Sequence, residues 1–190
     1  MIRLIKYFML MCLMTTACLA YAAGTKTKKA LPPPPPRLIE AVESLSGYKV
    51  DAHTLFSLDS GGLPSIQLSP FVFEEDLPET QLIISKRAVI LGIYASFIRT
   101  NTDSVRVTAL PQLLAEGSQV NFLKKYQITV TKTRKDALKD IQRFIPVESL
   151  DDLVVKNESG QLVWSDAFNA VYGKRDNRKG VNALYMQLIR

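Results

Sequence analysis

From residue 38 onward the apolar residues change period several times, and each change marks an element. In "RLIEAVESLSG" Leu38, Val42 and Leu45 recur at spacings of four and three and Gly47 follows, which predicts a short amphipathic helix with a glycine stop. Between Tyr48 and Phe73 the pattern shortens to alternating runs, "HTLFSL", "SIQLS" and "PFVF", separated by the turn segment "DSGGLP". These predict short strands around a Gly-Gly turn.

The stretch "DLPETQLIISKRAVILGIYASFIRTN" is the strongest element. Asp76 three residues before Glu79 resembles a capping box, Pro78 suits the first turn, and the apolar positions from Leu82 to Ile98 nearly surround the axis. A helix apolar on almost every side is a buried helix. Its Ile and Val content and Gly92 leave a competing reading as two strands, "QLIIS" and "AVILGIYASFI".

Alternation returns in "SVRVTAL" and "YQITVTK", and "RKDALKDIQRFI" follows at helical spacing with Ala137, Leu138, Ile141 and Ile145 on one side. "DLVVK", "NESG" and "QLVW" predict a hairpin, and Ser165 is placed to cap a short helix, "DAFNAVY". A polar loop, "GKRDNRKG", then leads to a terminal amphipathic helix, "VNALYMQLIR". No internal repeat of solenoid length is visible. The expectation is a single small α+β domain over residues 38–190, with a central buried helix, short strands and a hairpin.

The first 37 residues are of another kind. Arg3 and Lys6, the apolar run from Tyr7 to Met14, and Ala20-Tyr21-Ala22 follow the order of a secretory signal, so residues 1–22 are read as a signal peptide cleaved at the Ala20 and Ala22 motif. Thr15 and Thr16 interrupt the run short of the roughly 18 to 20 residues that span a bilayer, and no later segment is expected to be long enough either. Residues 23–37 form a basic linker whose five prolines, Pro32 to Pro36, predict a stiff polyproline II spacer.

Charge sharpens this division. The chain carries 24 Lys and Arg against 18 Asp and Glu, a formal +6, yet residues 1–37 hold six basic residues and no acidic one, so residues 38–190 are neutral. Nucleic-acid affinity needs clustered cations to displace counterions, so no nucleic-acid partner is expected. Both cysteines, Cys12 and Cys18, lie in the leader. Cleavage after Ala22 would leave neither a disulfide nor a thiol nucleophile.

Cys18 is a candidate lipidation site, although the Thr15-Thr16-Ala17 lead-in matches a lipoprotein signal only in part; such an anchor is the one expected membrane link. Pro32 to Arg37 fits the ligand pattern P-x-x-P-x-R, but a spacer is the better reading in an exported chain. His53 is the lone histidine, which excludes a multi-histidine zinc site within one chain. Ser46-Gly47-Tyr48-Lys49 has the S-x-x-K spacing, but Gly47 should end the helix that such a pair requires. The clusters Glu74-Glu75-Asp76 and Asp151-Asp152 suit helix starts better than a two-carboxylate active site. Leu77-Pro78-Glu79-Thr80 resembles a sortase tetrapeptide without its glycine, and Asn157-Glu158-Ser159 is a sequon on a hairpin tip.

Lys174, Arg175, Arg178 and Lys179 form a basic loop, and with Trp164 they are the candidate partner-binding residues. No catalytic, metal or cofactor residue is assigned and no cofactor is expected. The reading is a non-enzymatic exported envelope protein, located in the periplasm, that binds other envelope proteins as a subunit of a secretion, conjugation or pilus apparatus. Outer-membrane association would follow from lipidation of Cys18. The alternative is a small periplasmic or secreted hydrolase that works through carboxylates.

Overall fold

The computed structural model describes residues 37–58, 62–114, 120–173 and 177–190, and within them the expected mixed α+β fold with a central apolar helix is present. The leader with Cys18, Ala20 and Ala22, the proline run, and Lys174 and Arg175 lie outside the described residues.

Helix α1 spans Leu38–Ser46 and buries Ala41, Val42 and Leu45. Gly47 ends it with φ 72°, a left-handed cap that a side-chain-bearing residue adopts only with strain. Strands β1 (Leu55–Leu58) and β2 (Ser65–Leu68) pair antiparallel, and β3 (Phe71–Val72) begins a second sheet. Helix α2 then runs through Pro78–Arg99 as a single element, which decides against the two-strand reading. It crosses over to β4 (Ser104–Ala109), which lies parallel to β2, and β7 (Ile128–Thr133) completes the order β1-β2-β4-β7. Between them β5 (Gln112–Leu113) and β6 (Asn121–Phe122) join β3 in a three-stranded sheet of order β3-β5-β6.

Helix α3 (Arg134–Ile141) starts where Thr133 Oγ1 accepts the Asp136 amide at 3.1 Å. The predicted hairpin is β8 (Val154–Lys156) with β9 (Leu162–Trp164), closed by Asn157 Oδ1, which accepts from the Gln161 amide and the Ser159 hydroxyl. Ser165 caps the one-turn α4 (Asp166–Phe168), which continues as a π-turn through Asn169–Gly173. Helix α5 is Arg178–Leu188.

The core is built around α2. From Ala88 to Ile98 every residue of it is buried. A Cβ on Gly92 would sit 2.7 Å from Val107 Cγ1 and 2.8 Å from Leu68 Cδ1, so glycine lets the helix lie directly on β2 and β4. Its other sides are covered by α1, by Val181, Leu184 and Leu188 of α5, and by Phe168, whose ring meets Tyr94 edge-on at 5.5 Å. Buried aliphatic and aromatic side chains such as Ile90, Ile93 and Phe97 contribute about 1.5–3 kcal/mol each to holding this arrangement. Polar groups on the helix are satisfied locally: Ser96 donates to the Gly92 carbonyl, Ser85 to that of Gln81, and the Tyr94 phenol to that of Ala137.

Two expectations are corrected by α2. It is 22 residues long with mean hydropathy 1.4, so a segment after the leader does reach bilayer-spanning length and apolarity; 72% of that window, however, is enclosed by the rest of the fold. Asp76 does not cap it. The N-cap is Leu77, without a side-chain acceptor, because the Asp76 carboxylate turns back to accept the Phe73 amide at 2.9 Å.

Candidate partner-binding cleft

The most N-terminal turns of α2 are only half-buried, and they form one wall of a cleft. Strand β3 sends Val72 inward and leaves Phe71 on the opposite side, 46% exposed, with Phe73 beyond it 53% exposed. The turn that follows is pinned to α2: the Phe73 carbonyl accepts from the Asp76 amide at 3.2 Å and from Gln81 Nε2 at 3.3 Å. Both phenylalanines are thereby held beside Thr80, Ile83 and Ile84. With Asp76, Arg87 and Arg178 these residues enclose about 440 Å³.

Arg178 reaches this cleft from a distant part of the chain because α5 packs on α2. Val181, Leu184 and Leu188 supply the apolar contact. Lys86 adds a hydrogen bond to Asn182 Oδ1 at 2.7 Å and lies 5.1 Å from the centre of the Tyr185 ring. Burial shifts the Lys86 ammonium down and the Tyr185 phenol up from their ordinary values. Asn177 fixes the start of α5 by accepting the Gly180 amide at 2.8 Å. Arg178 thus stands in the first helical turn, not in the polar loop expected there, with its guanidinium 3.9 Å from Glu79 and 3.5 Å from the Thr80 hydroxyl. On the inner side, burial pushes the Tyr172 phenol up to about 12 against the opposing pull of the Arg87 guanidinium.

The cleft therefore presents an aromatic and aliphatic floor with two guanidiniums and one carboxylate around it. Exposed apolar surface continues along the small sheet. Leu114, whose amide donates to the Val72 carbonyl at 2.9 Å, is 53% exposed, and Phe122 on β6 is 38% exposed.

Of the candidate partner-binding residues, Arg178 alone is placed in this lining; Asp76 of the acidic cluster and Thr80 of the sortase-like tetrapeptide line it too. Lys179 is exposed on the same helical turn but does not line the cleft. Trp164 is used internally: its indole N–H donates to the Leu45 carbonyl at 3.1 Å and its ring lies 4.5 Å from that of Phe168, tying β9 to the end of α1. His53 is exposed on a turn with φ 54°, and its carbonyl accepts from Gln112 Nε2 at 3.2 Å. Ser46 accepts the Tyr48 amide just past the helix end, so it does not stand one helical turn from Lys49. Asp152 accepts the Glu148 and Ser149 amides in a capping box, a main-chain role like that of Asp76. Among the described residues no three metal-ligating side chains converge.

The sequence reading missed Phe71, Phe73, Ile83, Ile84 and Arg87. A signal was present: phenylalanines at i and i+2 around Val72 share one face of a strand, and an acidic turn follows them directly. Compared with protein-family models, with curated proteins and with solved structures, the chain matches none.

Proposed function

We propose that this chain is a non-enzymatic exported envelope protein that docks other envelope proteins through the Phe71–Phe73 cleft, with the proline-rich arm setting its reach. The observation that carries the reading is the pairing of two exposed phenylalanines with Arg178 around a 440 Å³ hollow. Aromatic and arginine side chains set in an apolar depression are the composition of interface hot spots. The apolar surface extends beyond the hollow to Leu114 and Phe122, which favours a polypeptide surface over a small ligand as the occupant. Export rests on the leader, and a place in a secretion, conjugation or pilus apparatus rests on the arm, which suits a domain held away from its membrane of origin.

The test is the double variant Phe71→Ser/Phe73→Ser. Both residues are surface-facing, so the fold should persist by circular dichroism, while co-purification with envelope partners after crosslinking in cells should fall at least tenfold. Unchanged partner recovery from a folded double variant would remove the cleft from the account.

A further inference from the structure

The four-stranded sheet ends on β7, and among the described residues no strand pairs with its outer edge. The Arg134 amide donates to the Asp103 carbonyl at 2.8 Å, and β7 pairs with β4 in antiparallel register from Ile128 opposite Ala109 to Thr133 opposite Ser104. In that register the main-chain groups of Ile128, Val130 and Lys132 turn toward β4, and those of Thr129 and Thr131 turn away. Among the described residues, no hydrogen bond is made by the main chain of Thr129 or Thr131. The opposite edge of the sheet is partly closed, since the Leu55 amide of β1 donates to the Lys49 carbonyl at 3.1 Å.

Beside the open edge runs a groove of about 330 Å³, bounded on one side by Thr129 to Thr133 and on the other by Leu188, Ile189 and Arg190 at the end of α5. We infer that this groove takes one extended segment of a partner polypeptide, which adds to β7 as a fifth strand. The main chain itself specifies the occupant: two donors and two acceptors at strand period are matched by another extended backbone. The stretch from Thr129 to Thr133 is about 13 Å long at the rise of a strand, enough for three to four residues.

Side chains set the rest of the specificity. Alternate residues of the added strand would lie over Ile189, which is 47% exposed, and should be apolar; those on the other face would lie beside the Thr129 and Thr131 side chains, whose hydroxyls meet Thr108 Oγ1 at 2.9 Å and Arg106 Nε at 3.3 Å, and can be polar. Lys132 does not add charge to the groove, because its ammonium is buried against Asp140 at 2.8 Å. Asp136 accepts from the Thr133 hydroxyl at 2.8 Å and keeps a negative charge on the β7 side of the groove. Among the described residues the Arg190 guanidinium has a 3.5 Å contact to Gln187 Oε1, and it is the positive charge on the α5 side of the groove, so an acidic residue suits the partner there. The inference stands on main-chain geometry and is independent of the Phe71–Phe73 cleft.

Amide hydrogen exchange on the full chain tests it, with a capped peptide Thr-Val-Thr-Val-Thr-Val-Glu as probe and, as control, its twin carrying N-methyl groups at alternate residues. Thr129 and Thr131 should exchange fast in the free chain, slow at least tenfold at millimolar peptide, and stay fast with the methylated twin. The variant Thr131→Pro removes an amide that β4 does not use, so it should keep the fold and abolish the slowing. The peptide-against-twin comparison stands even if that variant fails to fold. Amides already protected in the free chain at low concentration, or no slowing by the peptide, would overturn the proposal. Protection that rises with protein concentration without peptide would also overturn it, by assigning the edge to a second copy.

Discussion

Lys132 is a cation on the core face of an edge strand, and its surroundings explain why it is tolerated. Its Nζ lies 2.8 Å from Asp140 Oδ2, close but poorly aligned for a hydrogen bond, so the attraction there is chiefly coulombic. It also donates to the carbonyls of Leu188 at 3.0 Å and Gln187 at 3.3 Å, satisfying the last turn of α5, where the helix dipole favours positive charge. Lys132→Met should destabilise the fold by about 3–5 kcal/mol, because it strands a buried carboxylate. The double variant Lys132→Met/Asp140→Leu should recover most of that loss, and urea midpoints of the three proteins decide it. The partners of Lys132 were not legible in "YQITVTK". Alternation places it on the inner face, but only the return of a helix 55 residues later supplies its acceptors.

At the scale of elements, periodicity served well where one partner surface dominates, as in α1, β4, β7, α3 and the β8–β9 hairpin. For α2 it left one helix and two strands in competition, and the single 22-residue helix, sandwiched between a sheet and other helices, decides it. Starts were harder to read. Asp76 was equally able to cap α2 or to brace the turn before it, and its bond to the Phe73 amide takes the second role. At α5 the deciding residue was Asn177, hidden within a polar run. The uncapped start of α2 gives a prediction in which stability and binding move in opposite directions. Leu77 is 66% exposed at the N-cap, so Leu77→Asp should stabilise the isolated protein by about 1 kcal/mol through a new bond to a first-turn amide. Leu77 precedes the cleft wall directly, so the same change should weaken partner binding by placing charge beside Phe73. Thermal melting and partner recovery on one variant check both halves.

For the whole molecule, the buried Tyr94 and the half-buried Tyr48 and Tyr172 set an alkaline limit. Burial pushes Tyr48, Tyr94 and Tyr172 up from the ordinary value near 10, Tyr172 to about 12, whereas in the unfolded chain all three ionise near 10. The folded state therefore holds protons that the unfolded state releases. Their contribution is fully present below about pH 10 and is lost as pH rises from there through the folded values, so the urea midpoint should fall steeply between about pH 10 and 12. Tyrosinate absorbance should appear together with unfolding, not before it.

Alternation pointed to the mixed fold and neutral charge argued against nucleic acid, while the expected leader and proline run lie outside the described residues. Alternation and charge could not reveal the cleft, which is assembled from residues about 100 positions apart, Phe71 and Arg178, through the packing of α5 on α2. The central claim is that this cleft meets a partner protein in the cell envelope. The most direct measurement is site-specific photocrosslinking in cells, with the photoreactive residue at Phe73 and, as control, at Val163 on the hairpin, which is exposed but does not line the cleft. The account predicts a discrete adduct with an envelope protein from position 73, absent from position 163 and lost when Arg178→Glu is added. Equal labelling from both positions, or an adduct at 73 indifferent to Arg178→Glu, would contradict it.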